Sequence, residues 1–393
     1  MTYDFTTIPD RRGTGSEKWH LIERDMGQGN EDVIALSVAD MEFLPAPEIV
    51  EAMRAAAAHD VFGYDYVRPG YFEAVHDWML SRHGLDADLS WMRVSDGVMP
   101  AVNAALRAVT HTGDQVIILR PSYPPFPATT SRVGLTIVDS ELVEGPGGRY
   151  VMDLDDIARK AADPRCTAII LCNPHNPVGR VWTADELRAV GDIALDDGLT
   201  ILCDEIHADF AHPGHTVTMF STLGERYARH CIEFTAPTKT FNLAGLACST
   251  VIIPDKGLRR AYDVAAESIG GLMPSHVGLV AAEAAYRHAD AWLDELLGVL
   301  EGNLRMLRDM VSSCPGLRLV EPEGTYLAWL DCRGLGLGAD ALRDLMRTKA
   351  RVYLDDGIDF GRSGAGFERV NLACPPSLLR RALDGIAGAV GSL

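Results

Sequence analysis

The sequence lacks any apolar run long enough to cross a bilayer, which argues against a membrane-spanning protein. It also lacks a block of consecutive basic residues and carries a formal net charge of −19. Nucleic acid and anionic membrane surfaces are therefore poor partners for it. No C-x-x-C pair suggests zinc. His207, His212 and His215 have no acidic companion at a familiar ligand spacing, so no metal is expected. The opening stretch MTYDFTTIPDRRGTG has none of the apolar core of a secretion signal. Eight scattered cysteines, several inside apolar runs such as IILC and TILC, read as reduced core residues, and the location predicted is cytoplasmic. There is no internal repeat and no low-complexity segment.

What remains is an ordinary globular composition: 393 residues, 47% hydrophobic and 23% charged, enough for two or three domains and a large core. Five short runs are apolar on both faces: QVIILR (115–120), CTAIILC (166–172), LTILC (199–203), CIEFT (231–235) and CSTVIIP (248–254). They read as buried parallel strands. Helix signals separate them. Thr183 and Glu186 have capping-box spacing, and Gly198 is placed as a stop. The alternation predicts an α/β domain with a mostly parallel sheet. From about Ala281 the pattern turns helical. TYLAWLDC and RVYLDDG then read as strands, with a last helix after Pro375, which predicts a smaller α+β unit. The expected division is an N-terminal segment (1–47) packing with the small domain, a large domain (48–285) and a small C-terminal domain (286–393).

Ligands of open parallel sheets bind beyond the carboxyl ends of the strands. Tyr123 follows the first run, Asn173 and Asn176 the second, Asp204 and His207 the third, and Lys239 the fourth. Ser95 to Met99, in SDGVMP, open a helix whose free N–H groups and positive dipole end suit a phosphate. Each group has a role in holding one cofactor, pyridoxal 5′-phosphate. A buried lysine forms a Schiff base with its aldehyde. A buried aspartate pairs with its pyridine nitrogen, an amide with its phenolic oxygen, and an aromatic ring with its face.

In order along nearly the whole chain, NPHNPVG, DEIHADF, TKTFNLAGL and RVNLACP resemble the fold-type I enzymes of the class I/II aminotransferase family. SEKW, VADMEF, FGYDY, PSYPPF and PEGTYLAWLD resemble its cystathionine β-lyase/C–S lyase (MalY/PatB-like) branch. The resemblance implies an aspartate aminotransferase-like fold with a seven-stranded sheet. It implies that Lys239 binds the cofactor and acts as the catalytic base, that Asp204 meets the pyridine nitrogen, and that Asn176 and Tyr123 hold the ring. Gly97, Val98 and Thr235 would hold the phosphate, with Tyr64 reaching it from the neighbouring subunit of a homodimer. His207 stands where many aminotransferases carry a tyrosine and adds to the cofactor site. Arg369 matches the arginine that grips the substrate carboxylate.

The implied activity is β-elimination from cystathionine or another cysteine S-conjugate. An aminotransferase, a relative with decarboxylation-coupled deamination, and a non-catalytic regulator are the alternatives. Four features depart from the branch. Glu42 replaces an aspartate, Pro376 stands in place of arginine, and Ala247 occupies the position of a phosphate-binding arginine. The segment 267–278 is atypical and is expected near the substrate.

Overall fold

In the computed structural model, which describes residues 2–59 and 61–393, the doubly apolar runs lie side by side in one seven-stranded sheet. Its strands are β1 (Met92–Ser95), β2 (Gln115–Arg120), β3 (Thr136–Glu141), β4 (Cys166–Cys172), β5 (Thr200–Asp204), β6 (Cys231–Thr235) and β7 (Ser249–Ile252), in the order β1-β7-β6-β5-β4-β2-β3. Side chains alternate between two cores, as a period of two requires. Ile117, Leu119, Ile169 and Ile201 meet Trp182 and Leu187 on one face. Val116, Ile118, Ile170 and Leu202 meet Val102 and Leu106 of helix α1 (Val98–Val109) on the other.

One strand departs from expectation. β7, the CSTVIIP run, is antiparallel to both β6 and β1. A parallel return needs a crossover, usually a helix. The link from β6 to β7 holds only the single turns Pro237–Thr240 and Ala244–Leu246, so the chain doubles back. β7 is buried throughout, so its side-chain pattern carries no sign of direction. Helix α2 (Ala184–Asp196) has the predicted capping box. Glu186 N–H donates to Thr183 Oγ1 at 3.2 Å, and Thr183 N–H donates to the Glu186 carboxylate at 2.9 Å.

The C-terminal part builds a second, antiparallel sheet from β8 (Arg318–Val320), β9 (Leu327–Asp331), β10 (Asp355–Asp356) and β11 (Phe367–Asn371), in the order β8-β9-β11-β10. Helices α3 (Asp290–Ser313) and α4 (Pro376–Val390) cover it. The N-terminal segment touches both parts. Ile34 and Ala35 pair with Val352 and Tyr353, whereas Phe5, Met41 and Phe43 join the core that contains Trp292 and Phe241.

Candidate active site

The carboxyl ends of β4, β5 and β6 and the N-terminus of α1 surround a cavity of about 240 Å³. Gly97, Tyr123, Asn176, Asp204, His207 and Lys239 line it. β4 and β5 end in register, Cys172 opposite Asp204, which sets the Asn176 loop beside the Asp204 carboxylate. Gly97 caps α1 at φ +140°, a conformation that favours glycine, and so lets the chain turn from strand into helix with its first N–H groups free.

Lys239 sits in the turn directly after β6. Its Nζ donates to the Ala39 carbonyl at 2.6 Å, and no carboxylate pairs with it among the described residues. Burial, and then the charge of Arg369, push its pKa down to about 8 against the opposing pull of Asp40 and Asp204. A fraction of this amine is therefore unprotonated, and nucleophilic, near neutral pH. Asp204 is buried, and its carboxylate accepts one backbone N–H, that of Ile206, at 3.1 Å. Burial raises its pKa to about 6, with the Ile206 N–H and the Lys239 charge acting the other way. His207 is driven to about 3, first by burial and then by Lys239 and Arg369, so it is neutral. Its Nδ1 is buried without a partner, and its ring meets Tyr326 edge-on at 5.8 Å. Tyr123 stands edge-on to Phe126 at 5.6 Å.

These shifts predict how a cofactor-free protein responds to pH. Lys239 is depressed in the folded state, so it costs stability below pH 8, and that cost disappears as pH rises towards 10.5, its ordinary value. Lys239→Met should be more stable than wild type at pH 7 by on the order of 3 kcal/mol. The gap should close by about pH 10.5, as read from denaturant midpoints. Asp204 acts oppositely: its raised value makes the folded state lose stability as pH climbs from 3.8 to about 6.

Three predicted site residues, Thr235, Tyr64 and Arg369, do not line the cavity. Thr235 ends β6, paired with Thr250, and does not line the cavity; Thr238, one residue before the lysine, does. Tyr64 is fully exposed and does not line the cavity of its own chain. Arg369, on β11, lies behind Asn176 and donates from Nη1 to Asn176 Oδ1 at 3.0 Å. Ala247, at the position of the family's phosphate-binding arginine, lines the cavity. Glu42 does not reach the cavity. It pairs with Lys18 at 3.0 Å and Arg11 at 2.8 Å, and Asp40 pairs with the same two cations. The segment 267–278 does not line the cavity either.

Sequence reasoning missed the strap 38–43. Its Ala39 carbonyl accepts from both Lys239 and Tyr326, the latter at 3.0 Å. Asn371 Nδ2 donates to the carbonyls of Val38 (2.7 Å) and Asp40 (2.6 Å), and Asn242 Nδ2 to those of Met41 (3.0 Å) and Phe43 (2.9 Å). VADMEF carried the signal as a motif, but nothing in it pointed to a backbone oxygen. The site thus combines an unpaired buried amine, a buried carboxylate with one donor, an orphaned imidazole nitrogen and an open helix N-terminus. Such groups cost stability unless a ligand satisfies them. An aldehyde, a protonated ring nitrogen, a ring oxygen and a phosphate in one molecule would satisfy all four, and pyridoxal 5′-phosphate has this set.

Residues 31–386 match the family model for aminotransferase class I and II. The chain is 36% identical to cystathionine beta-lyase PatB of Bacillus subtilis, an alignment covering 98% of this chain and 100% of the relative. It is 30% identical to the protein MalY of Escherichia coli over 99% of each. The crystal structure of cystalysin from Treponema denticola, which contains pyridoxal 5′-phosphate, superposes with a TM-score of 0.96 at 37% identity over the full length of both chains.

Proposed function

We propose, on the premise that the chain belongs to the aminotransferase class I and II family, that it is a carbon–sulfur β-lyase acting on cystathionine or another cysteine S-conjugate. Its cofactor is pyridoxal 5′-phosphate. When bound, the cofactor supplies an aldehyde that joins covalently to amines and a protonated ring that draws electrons from the bonds at Cα. Lys239 would hold the aldehyde and Asp204 the ring nitrogen. Asn176 and His207 would face the phenolic oxygen, Tyr123 the ring, and the N–H groups at Gly97 and Val98 with the Thr238 hydroxyl the phosphate.

The chain's own groups then act in sequence. Arg369 fixes the substrate carboxylate with its planar fork. The Lys239 amine, freed when the substrate amine takes its place at the aldehyde, removes the Cα proton as general base. The Cβ–S bond breaks and the sulfur leaves as a thiol. Uptake of water completes the balance to pyruvate and ammonia. The observation that carries this reading is the pairing, in one cavity, of a buried amine and a buried carboxylate that lack close charge partners. The lyase branch is favoured by the activity in the name of PatB and by His207 in place of a tyrosine. Incubation with L-cystathionine or an S-alkylcysteine tests it. Pyruvate and free thiol should appear without added keto acid, and strict dependence on a keto acid would make the protein an aminotransferase.

We propose further that a second copy covers the exposed apolar run Val61, Phe62, Tyr64 and Tyr66, which bring large hydrophobic side chains to the surface together. Tyr64 would then reach the phosphate of the partner's cavity. Sedimentation should give a dimer; a stable monomer with full activity would remove Tyr64 from the site. All eight cysteines are unpaired and buried, which suits a reducing compartment such as the cytoplasm.

A further inference from the structure

Arg369 is buried beside Asn176, which lines the cavity, and its guanidinium is not free. It faces Asp355 directly across the β10–β11 pair. Its Nε and Nη2 donate to Asp355 Oδ2 at 3.1 and 2.6 Å, and its Nη1 donates to Asn176 Oδ1 at 3.0 Å. The Phe360 ring lies 4.7 Å from its central carbon and restricts its rotation. Asp355 is itself fixed, since the Val38 N–H donates to its carboxylate at 3.1 Å. A guanidinium has five N–H donors. Three are used here, and Asp355 takes the side-on pair formed by Nε and Nη2. The two that remain, one on each Nη nitrogen, are the donors left for a substrate carboxylate.

We propose that Asp355 is a positioning residue that decides how the substrate carboxylate docks. By filling the side-on fork it leaves the carboxylate only the Nη donors that point away from Asp355. The position of the carboxylate, and with it the direction of the Cα–H bond relative to Lys239, is thereby set. The same negative charge opposes the incoming carboxylate, so orientation is gained at the expense of affinity. This inference rests on the role proposed above for Arg369, but not on which substrate bond breaks.

The two effects separate in Asp355→Asn, which removes the charge and keeps the shape. The probes are 3-(methylthio)propanoate, a carboxylate with no amine to react, and S-methylcysteine, both with the holoenzyme. Calorimetry should find the acid bound about tenfold more tightly by Asp355→Asn, because a competing charge has gone. In turnover, kcat should fall about tenfold while KM falls rather than rises, because a neutral amide holds the guanidinium less firmly and the reacting bond is misaligned. Asp355→Ser, smaller and uncharged, should move the acid affinity the same way and serves if the asparagine variant folds poorly. A merely structural role would weaken acid binding. Weaker or unchanged acid binding in both variants, or an unchanged kcat, would overturn the proposal. Arg369→Leu should lose the acid altogether. If it binds the acid like wild type, the role of Arg369 itself is wrong, and that result is distinct from a failure of Asp355 alone.

Discussion

Lys239→Ala should reduce turnover of a cysteine S-conjugate by about 10³-fold or more and remove the visible absorbance of the purified protein. Both effects come from one atom. Among the described residues the Nζ is the one amine lining the cavity, so its loss removes the covalent hold on the cofactor and the base that takes the Cα proton. General-base catalysis alone contributes roughly 10²–10⁴-fold. The fold should survive the substitution, because the amine bonds to a single carbonyl and its buried charge is a cost to the folded state. Arginine is not a substitute, since it stays protonated and cannot serve as a nucleophile. Rate measurements on the purified variant, with circular dichroism to verify folding, check the expectation.

Asp204→Asn should be the second most damaging change, lowering kcat by about 10²-fold or more while KM moves little. The asparagine matches the aspartate in shape and can still accept the Ile206 N–H. It cannot supply the negative charge that keeps a pyridine nitrogen protonated, and without that proton the ring is a weak electron sink. The raised pKa of Asp204, about 6, belongs to a carboxylate buried without a cation. A protonated ring nitrogen at that carboxylate reverses the balance, because a close opposite charge favours the ionised form. Asp204→Asn should therefore also hold the cofactor less tightly, which dialysis followed by absorbance would reveal. Asp204→Ala should behave alike. An asparagine variant with wild-type kcat would remove Asp204 from the mechanism.

Much of this site was legible because its residues follow strands at short range. A doubly apolar run, a strand end and a polar residue one to four positions later locate Asp204, Asn176, Tyr123 and Lys239 without long-range information. β2, β4 and β6 begin and end where the composition changes. The edge strands were harder. β3, TIVDSE, is largely solvent-facing and β1, MRVS, has four residues, so neither stands out as an apolar run. The direction of β7 depends on the length and content of a connection rather than on the strand itself. Thr235 and Thr238 both lie near the lysine, and which hydroxyl faces the cavity depends on where the strand stops. The strap carbonyl of Ala39 and the carboxylate of Asp355 were invisible for a different reason. One is backbone, and the other lies in RVYLDDG, which reads as a strand without showing what its carboxylates face until the β10–β11 register sets Asp355 against Arg369.

Borohydride reduction of the purified protein, followed by mass mapping of its peptides, tests the central claim most directly. The account predicts that a pyridoxyl phosphate group becomes fixed to the peptide containing Lys239, and that Lys239→Ala carries none. Modification of a different lysine, or no modification of protein reconstituted with pyridoxal 5′-phosphate, would contradict it.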